Sequence, residues 1–89
     1  MHVEREVTIC NRLGLHLRAA GRLVDAARRF HADIRVRKGQ KEVDCKSIME
    51  VMTLGATSGT PITLLAKGKD ATRAVECLEH LVKRKFDEE

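Results

Sequence analysis

His16 stands where a loop is predicted to become a helix, and this placement could support phosphoryl chemistry. Gly14 permits a sharp turn before it, and the residues after it follow a helical period. The first amides of a helix lack internal partners and attract phosphate. Arg18, two residues further on, can offer charge-assisted hydrogen bonds to phosphate oxygens. The pattern predicts a nucleophile that holds a phosphoryl group, although a plain helix cap or a surface histidine also fits.

Ser47 marks a second candidate site, at the start of a short predicted helix. Ser47 and Glu50 have the spacing of a capping box. The helix carries more apolar residues than it can bury, namely Ile48, Met49, Val51, Met52 and Leu54. Exposed methionines would suit a surface that binds several partners, whereas core filling by Met49 and Met52 is the alternative. A phosphate on Ser47 would add negative charge beside this surface and weaken docking, although Ser47 could be an ordinary N-cap.

Alternating and helical apolar periods predict the order β-α-β-β-α-β-α around these sites. The predicted elements are a strand at residues 3–9, a helix at 16–30, strands around 34–36 and 43–45, a helix at 47–54, a strand at 62–66 and a helix at 71–85. Asp70 is the expected N-cap of the last helix, and residues 87–89 are expected to fray. Four strands with one apolar face, covered by helices, predict a two-layer α+β domain.

Length and composition predict one domain over residues 1–89, in the cytoplasm. The chain has 89 residues and 43% hydrophobic residues, which suits a small globular protein. The N-terminus lacks the apolar segment of a signal peptide, and no run of about 18 apolar residues predicts membrane insertion. The scattered Cys10, Cys45 and Cys77 are expected to be reduced and buried.

The charge and the histidines allow other functions, which the sequence disfavours. The net charge of +4 favours acidic partners, but no aromatic residues are interleaved with the basic ones for base stacking, so nucleic-acid binding is not expected. The histidines lack metal-ligand spacing, and no metal or cofactor is expected. They are His2, His16, His31 and His80.

Two segments resemble the signatures of HPr, the histidine-containing phosphocarrier of the bacterial sugar phosphotransferase system. They are Asn11–Ala20, which includes Leu-Gly-Leu-His-Leu-Arg, and Lys46–Gly55, which includes Lys-Ser-Ile-Met-Glu. The resemblance implies an open-faced β-sandwich, with a four-stranded antiparallel sheet and three helices on one face. It implies that His16 is phosphorylated on Nδ1, that Arg18 is the arginine of the motif, and that Ser47 is the regulatory serine.

The resemblance also implies partners. Enzyme I would pass a phosphoryl group from phosphoenolpyruvate to His16, and EIIA-type domains would accept it. HPr kinase/phosphorylase would modify Ser47. Docking is expected to involve Leu17, Arg22, Ile48, Met49 and Met52. The protein would be a monomeric phosphorylated intermediate rather than a turnover enzyme.

The chain departs from the usual family pattern at three positions. Leu17 and Ala19 replace the alanine and proline of His-Ala-Arg-Pro-Ala, and Glu50 stands where glycine is common. Loss of the proline removes a fixed φ angle near the helix start, and Leu17 adds bulk beside the reacting ring. These departures keep two alternatives open. One is a nitrogen-type phosphotransfer branch, and the other is an interaction protein that regulates its partners through Ser47.

Overall fold

The computed structural model describes residues 1–88, and its elements follow the predicted order. The strands are β1 (His2–Thr8), β2 (Asp33–Lys38), β3 (Lys41–Asp44) and β4 (Pro61–Lys67). The helices are α1 (Leu17–Ala27), α2 (Ile48–Met52) and α3 (Ala71–Lys83), followed by a 3-10 turn, Lys85–Asp87, that we call the C-terminal turn. The predicted α+β architecture is therefore confirmed.

The four strands form one antiparallel sheet in the order β1-β4-β2-β3. Val7 pairs with Ile62 across β1 and β4, and Val36 pairs with Leu64 across β2 and β4. These side chains are buried on the face that α1 and α3 cover, because alternate residues of a strand point to one side. The sheet thus positions the loops at its ends, where the candidate sites lie.

Helix α1 ends three residues earlier than its apolar stripe predicted. Arg28 is the C-cap residue, and the amides of Arg29 and Phe30 donate to the carbonyls of Ala26 and Ala27 in tighter turns. These turns let the chain reverse direction before β2 begins at Asp33. Phe30 therefore packs at the edge of the core rather than on the helix, as a half-buried side chain.

The sequence predicts that Asp70 caps α3, but its side chain makes no hydrogen bond to that helix. It occupies the N-cap position, but its carboxylate accepts from the amides of His31, at 2.8 Å, and Ala32, at 2.9 Å. The hydrogen bond from the His31 amide is the main reason why the pKa of the Asp70 carboxyl is lowered. Asp70 thus joins the connection before β2 to the start of α3.

This arrangement predicts an acid-dependent contribution of Asp70 to stability. A carboxyl group with a lowered pKa stabilises the fold above its unfolded-state pKa, and the contribution is lost as the pH falls through the folded-state pKa. We expect Asp70→Asn to melt below the wild type at neutral pH, with the difference shrinking as the pH falls below the ordinary carboxyl pKa of about 4. Asp33→Asn is the control, because Asp33 is an exposed carboxylate on β2. A difference that does not depend on pH would contradict the assignment.

The cysteines are free thiols, but they are not all buried. Cys45 is buried and Cys77 is half-buried, while Cys10 is exposed. Burial raises the pKa of the Cys45 thiol to about 12. The expectation of burial is therefore wrong for Cys10, which lies beyond the end of β1 with its Sγ 3.4 Å from the Val82 carbonyl oxygen.

Candidate functional site

His16 is the N-cap residue of α1, as the sequence predicted. Its backbone is extended, and its carbonyl accepts the first helical hydrogen bond, from the Ala20 amide at 2.8 Å. Its Nδ1 atom accepts from the Arg18 amide at 3.3 Å. Because the first amides of a helix favour negative charge, a phosphoryl group on Nδ1 would meet a favourable electrostatic environment.

The opposite side of the His16 ring contacts Glu88. His16 Nε2 lies 2.8 Å from Glu88 Oε2, and the two side chains are 27% and 8% exposed. The other carboxylate oxygen accepts from Asn11 Nδ2 at 2.5 Å. The hydrogen bond from Asn11, followed by that from His16, lowers the pKa of the Glu88 carboxyl. An ionised carboxylate can only accept, so these contacts assign the proton of neutral His16 to Nε2 and leave Nδ1 as the acceptor.

Glu88 reaches His16 because the C-terminal turn folds back toward the N-terminal end of α1. Lys85, Phe86 and Asp87 all have positive φ angles, of 59°, 56° and 60°. Phe86 is completely buried, and Arg22 Nη1 donates to the Phe86 carbonyl oxygen. The expectation of a frayed tail is therefore wrong for Asp87 and Glu88, because a buried aromatic ring anchors them. Glu89 lies outside the described residues.

Asn11 and Gly14 support the loop that carries His16. Asn11 is completely buried, and its Nδ2 also donates to the Gly14 carbonyl at 2.7 Å. The Leu15 amide donates to the Ala56 carbonyl at 2.9 Å, which joins this loop to the one before β4. Sequence reasoning named Gly14 as a turn residue but gave Asn11 no role. The available signal for Asn11 was its position three residues before Gly14, because asparagine is common at the first position of a turn that ends in glycine.

Gly14 cannot be replaced without strain. Its φ angle is +70°, and a β-carbon would lie 2.8 Å from the Ala56 oxygen and 2.9 Å from Thr57 Cα. We expect Gly14→Ala to lower the free energy of unfolding by at least about 2 kcal/mol, from the left-handed backbone and the backbone contact together.

Gly39→Ala is the matched control, measured by denaturant unfolding. Gly39 has a φ angle of +58°, but a β-carbon there would meet nothing within 4 Å. In Gly39→Ala the free energy of unfolding should therefore fall only by the cost of the left-handed backbone, about 1 kcal/mol. Equal losses in the two variants would show that the contact with Ala56 and Thr57 does not constrain the loop.

Arg18 and Leu17 are both exposed beside His16. Arg18 lines a cleft of about 310 Å³ together with Arg12, Leu13 and Glu88. A guanidinium at this cleft could approach phosphoryl oxygens on His16, which fits the predicted role of Arg18. That role stays a prediction.

Helix α2 forms only half of the expected capping box. Ser47 Oγ accepts from the Glu50 amide at 3.3 Å, so Ser47 is the N-cap, as predicted. The Glu50 carboxylate instead accepts from the Asp44 amide at 3.0 Å. The Ser47 amide already donates to the Asp44 carbonyl, which explains why Glu50 does not bond to it.

The predicted docking residues lie in different environments. Leu17, Met49 and Met52 are 65%, 80% and 38% exposed, so the core-filling alternative for the two methionines is wrong. Ile48 is half-buried against the core, and Arg22 holds the C-terminal turn. We call the exposed side chains of Leu17, Met49 and Met52 the apolar patch. Whether this patch docks partners stays a prediction.

Residues 1–88 contain neither a cluster of metal ligands nor a membrane-spanning helix. No group of three or more potential ligand side chains in this part of the chain could hold a metal ion. None of its helices is long and apolar enough to cross a membrane.

Comparisons with known proteins agree with one another. The family model described as "PTS HPr component phosphorylation site" matches residues 3–84. Phosphocarrier protein NPr of Shewanella violacea is 45% identical over 86 residues, covering 97% of this chain and 94% of that protein. Phosphocarrier protein HPr of Pseudomonas putida is 46% identical over 85 residues, covering 94% of each chain. The crystal structure of HPr from Thermoanaerobacter tengcongensis has a TM-score of 0.94 at 40% identity, covering 98% of both chains.

Proposed function

Because the chain belongs to the HPr family of phosphocarrier proteins, we propose that it accepts a phosphoryl group on Nδ1 of His16 and passes it to a second protein. One observation carries the proposal. The ring presents Nδ1 to the N-terminus of α1, while its Nε2 contacts a carboxylate. A histidine so held has its nucleophilic nitrogen where phosphate is favoured. The exposed Arg18 would bind the phosphoryl oxygens.

The proposed donor is phosphorylated enzyme I, and the proposed acceptors are EIIA-type domains. In the apolar patch, Met49 and Met52 lie on α2, and Leu17 lies at the start of α1 directly after His16. Apolar side chains around a reactive group suit transient protein docking, because they can pack against several partners. We propose that the protein acts as a single-domain monomer in the cytoplasm.

A nitrogen-type branch is the second candidate function. The relative from Shewanella violacea is an NPr, and its identity of 45% is close to the 46% of the Pseudomonas putida HPr. The overall similarity therefore does not separate the two branches. The departures at Leu17 and Glu50, which lie beside the reacting ring and on the docking helix, support a partner set that differs from that of ordinary sugar transport.

Ser47 is the proposed regulatory site, on which an HPr kinase/phosphorylase would act. Its hydroxyl is at the N-terminus of α2, two residues before the 80% exposed Met49. A phosphate there would bring about two negative charges next to the apolar patch and oppose docking.

Intact-mass measurement tests the carrier proposal. Wild-type protein would be incubated with phosphoenolpyruvate and with enzyme I from the same organism. We expect the mass of one added phosphoryl group, lost in acid and kept in base, because phosphohistidine is acid-labile and phosphoserine is not. No gain in mass would sink the carrier proposal and favour a regulator that acts through Ser47.

A further inference from the structure

Glu88 directly follows the C-terminal turn and places its carboxylate against His16, and residues 85–88 lie beyond the residues 3–84 that the family model matches. We infer that Glu88 is a positioning residue for phosphoryl transfer. It holds the proton of His16 on Nε2, so that Nδ1 presents a lone pair, and its charge stabilises the phosphorylated ring. This inference rests on the proposed carrier function and adds to it a residue that controls the reactivity of the same site.

In the hydrogen bond between Glu88 and His16, only the His16 ring can be the donor. Glu88 is ionised above its lowered pKa and has no proton to donate. The 2.8 Å contact therefore needs a proton on Nε2. The Arg18 amide donates to Nδ1 at 3.3 Å and needs that nitrogen to be unprotonated. Two independent contacts thus select the same tautomer, as a carboxylate partner commonly does for a reactive or metal-binding histidine.

The selected tautomer suits the transfer step. The donor is a phosphohistidine on another protein, whose N–P bond breaks as a bond forms between phosphorus and Nδ1 of His16. The donor ring becomes neutral, and the His16 ring becomes a cation because it keeps its proton on Nε2. No proton has to leave or arrive. Glu88 lies against the N–H group that carries the new positive charge, so its carboxylate stabilises the product.

The chain holds Glu88 in place with more than one contact. Three successive residues take left-handed backbone conformations that side chains disfavour, and they bring Glu88 back to the start of α1. Phe86 is buried, and its carbonyl accepts from Arg22. Asn11 Nδ2 donates a hydrogen bond to the second carboxylate oxygen of Glu88. Backbone strain maintained by such packing is frequent where a side chain must be held at a functional site.

Nitrogen-15 spectra of the His16 ring test the positioning without any phosphoryl transfer. We expect the wild type to show the Nε2–H tautomer when the ring is neutral. Glu88→Ala should show a larger share of the Nδ1–H tautomer, because only the Arg18 amide would still favour the Nε2–H form. Asp87→Ala is the control, because Asp87 lies in the same turn but bonds to Arg84, 2.9 Å away. It removes the same charge from the turn and should leave the tautomer unchanged.

A competition for phosphoryl groups tests the role of the charge. Wild type and Glu88→Gln would be equilibrated with catalytic enzyme I and a limiting amount of phosphoenolpyruvate. Glutamine can still accept from Nε2 but has no charge, so the tautomer should persist while the phosphorylated fraction falls. We expect the ratio of phosphorylated to free protein to be roughly three- to tenfold higher for the wild type. Asp87→Asn should compete like the wild type.

The outcomes separate this inference from the carrier function. If Glu88→Ala keeps the wild-type tautomer and Glu88→Gln competes equally, Glu88 has no positioning role, although the carrier function stands. If the wild type accepts no phosphoryl group, the carrier function fails and the stabilising role of Glu88 fails with it. The tautomer spectra would still decide whether Glu88 orients the ring.

Discussion

A His16→Ala variant is expected to gain no phosphoryl group from enzyme I, a loss of more than about 1,000-fold in the rate of acceptance. The variant lacks the nitrogen that would bond to phosphorus, and within residues 1–88 the other histidines lie in β1, just before β2 and inside α3. The fold should survive, because His16 is partly exposed and its removal deletes only two side-chain contacts. They are a capping hydrogen bond, worth about 1 kcal/mol, and the contact between Nε2 and Glu88. Intact mass after incubation with phosphoenolpyruvate and enzyme I measures the effect.

Ser47→Ala is the control for this experiment. It also removes one N-cap side chain, from α2 instead of α1, so it reproduces the loss of the cap while keeping the contact between His16 and Glu88. It should gain the acid-labile phosphoryl group at the wild-type rate, because Ser47 is not the proposed acceptor. Full phosphorylation of His16→Ala would show that another residue accepts the group, and the carrier proposal would then need a different site.

The sequence predicted the fold well because strands and helices depend on local periods. Val36 alternates with Arg35 and Arg37, and it packs on the buried face of the sheet. The end of α1 was less predictable, because the apolar Phe30 continued the stripe although the chain had already turned. The side-chain bonds of Asp70 were also missed, since they depend on which loop the fold brings next to α3.

The candidate site was predictable only where its residues are neighbours in sequence. His16 and Arg18 could be found because a glycine-containing turn precedes a helical period. Glu88 is separated from His16 by 72 positions, and no pattern in a single sequence links them. Left-handed backbone at Lys85 and Phe86 had no signal either, because such conformations are expected at glycine. Only the apolar Phe86 near a charged C-terminus indicated that the tail could pack.

Phe86→Ala is expected to lower the free energy of unfolding by about 3 to 5 kcal/mol. The ring is completely buried, and its removal leaves a cavity between α1, α3 and the C-terminal turn. In a domain of this size the melting temperature should fall by roughly 12 to 40 °C. The loss should be large for a position so near the chain end, where residues usually contribute little. Thermal and denaturant unfolding would measure it.

Phe30→Ala tests whether this effect is specific to the C-terminal turn. Phe30 is the other phenylalanine of the chain, and it is only half-buried at the core edge, so its loss should be smaller. The two variants should also differ at His16. Phe86→Ala releases the turn, so Glu88 should leave Nε2 and the ring should show both tautomers, whereas Phe30→Ala should keep the wild-type tautomer. Similar losses of stability and unchanged tautomers in both variants would mean that the buried ring of Phe86 does not hold Glu88 in place.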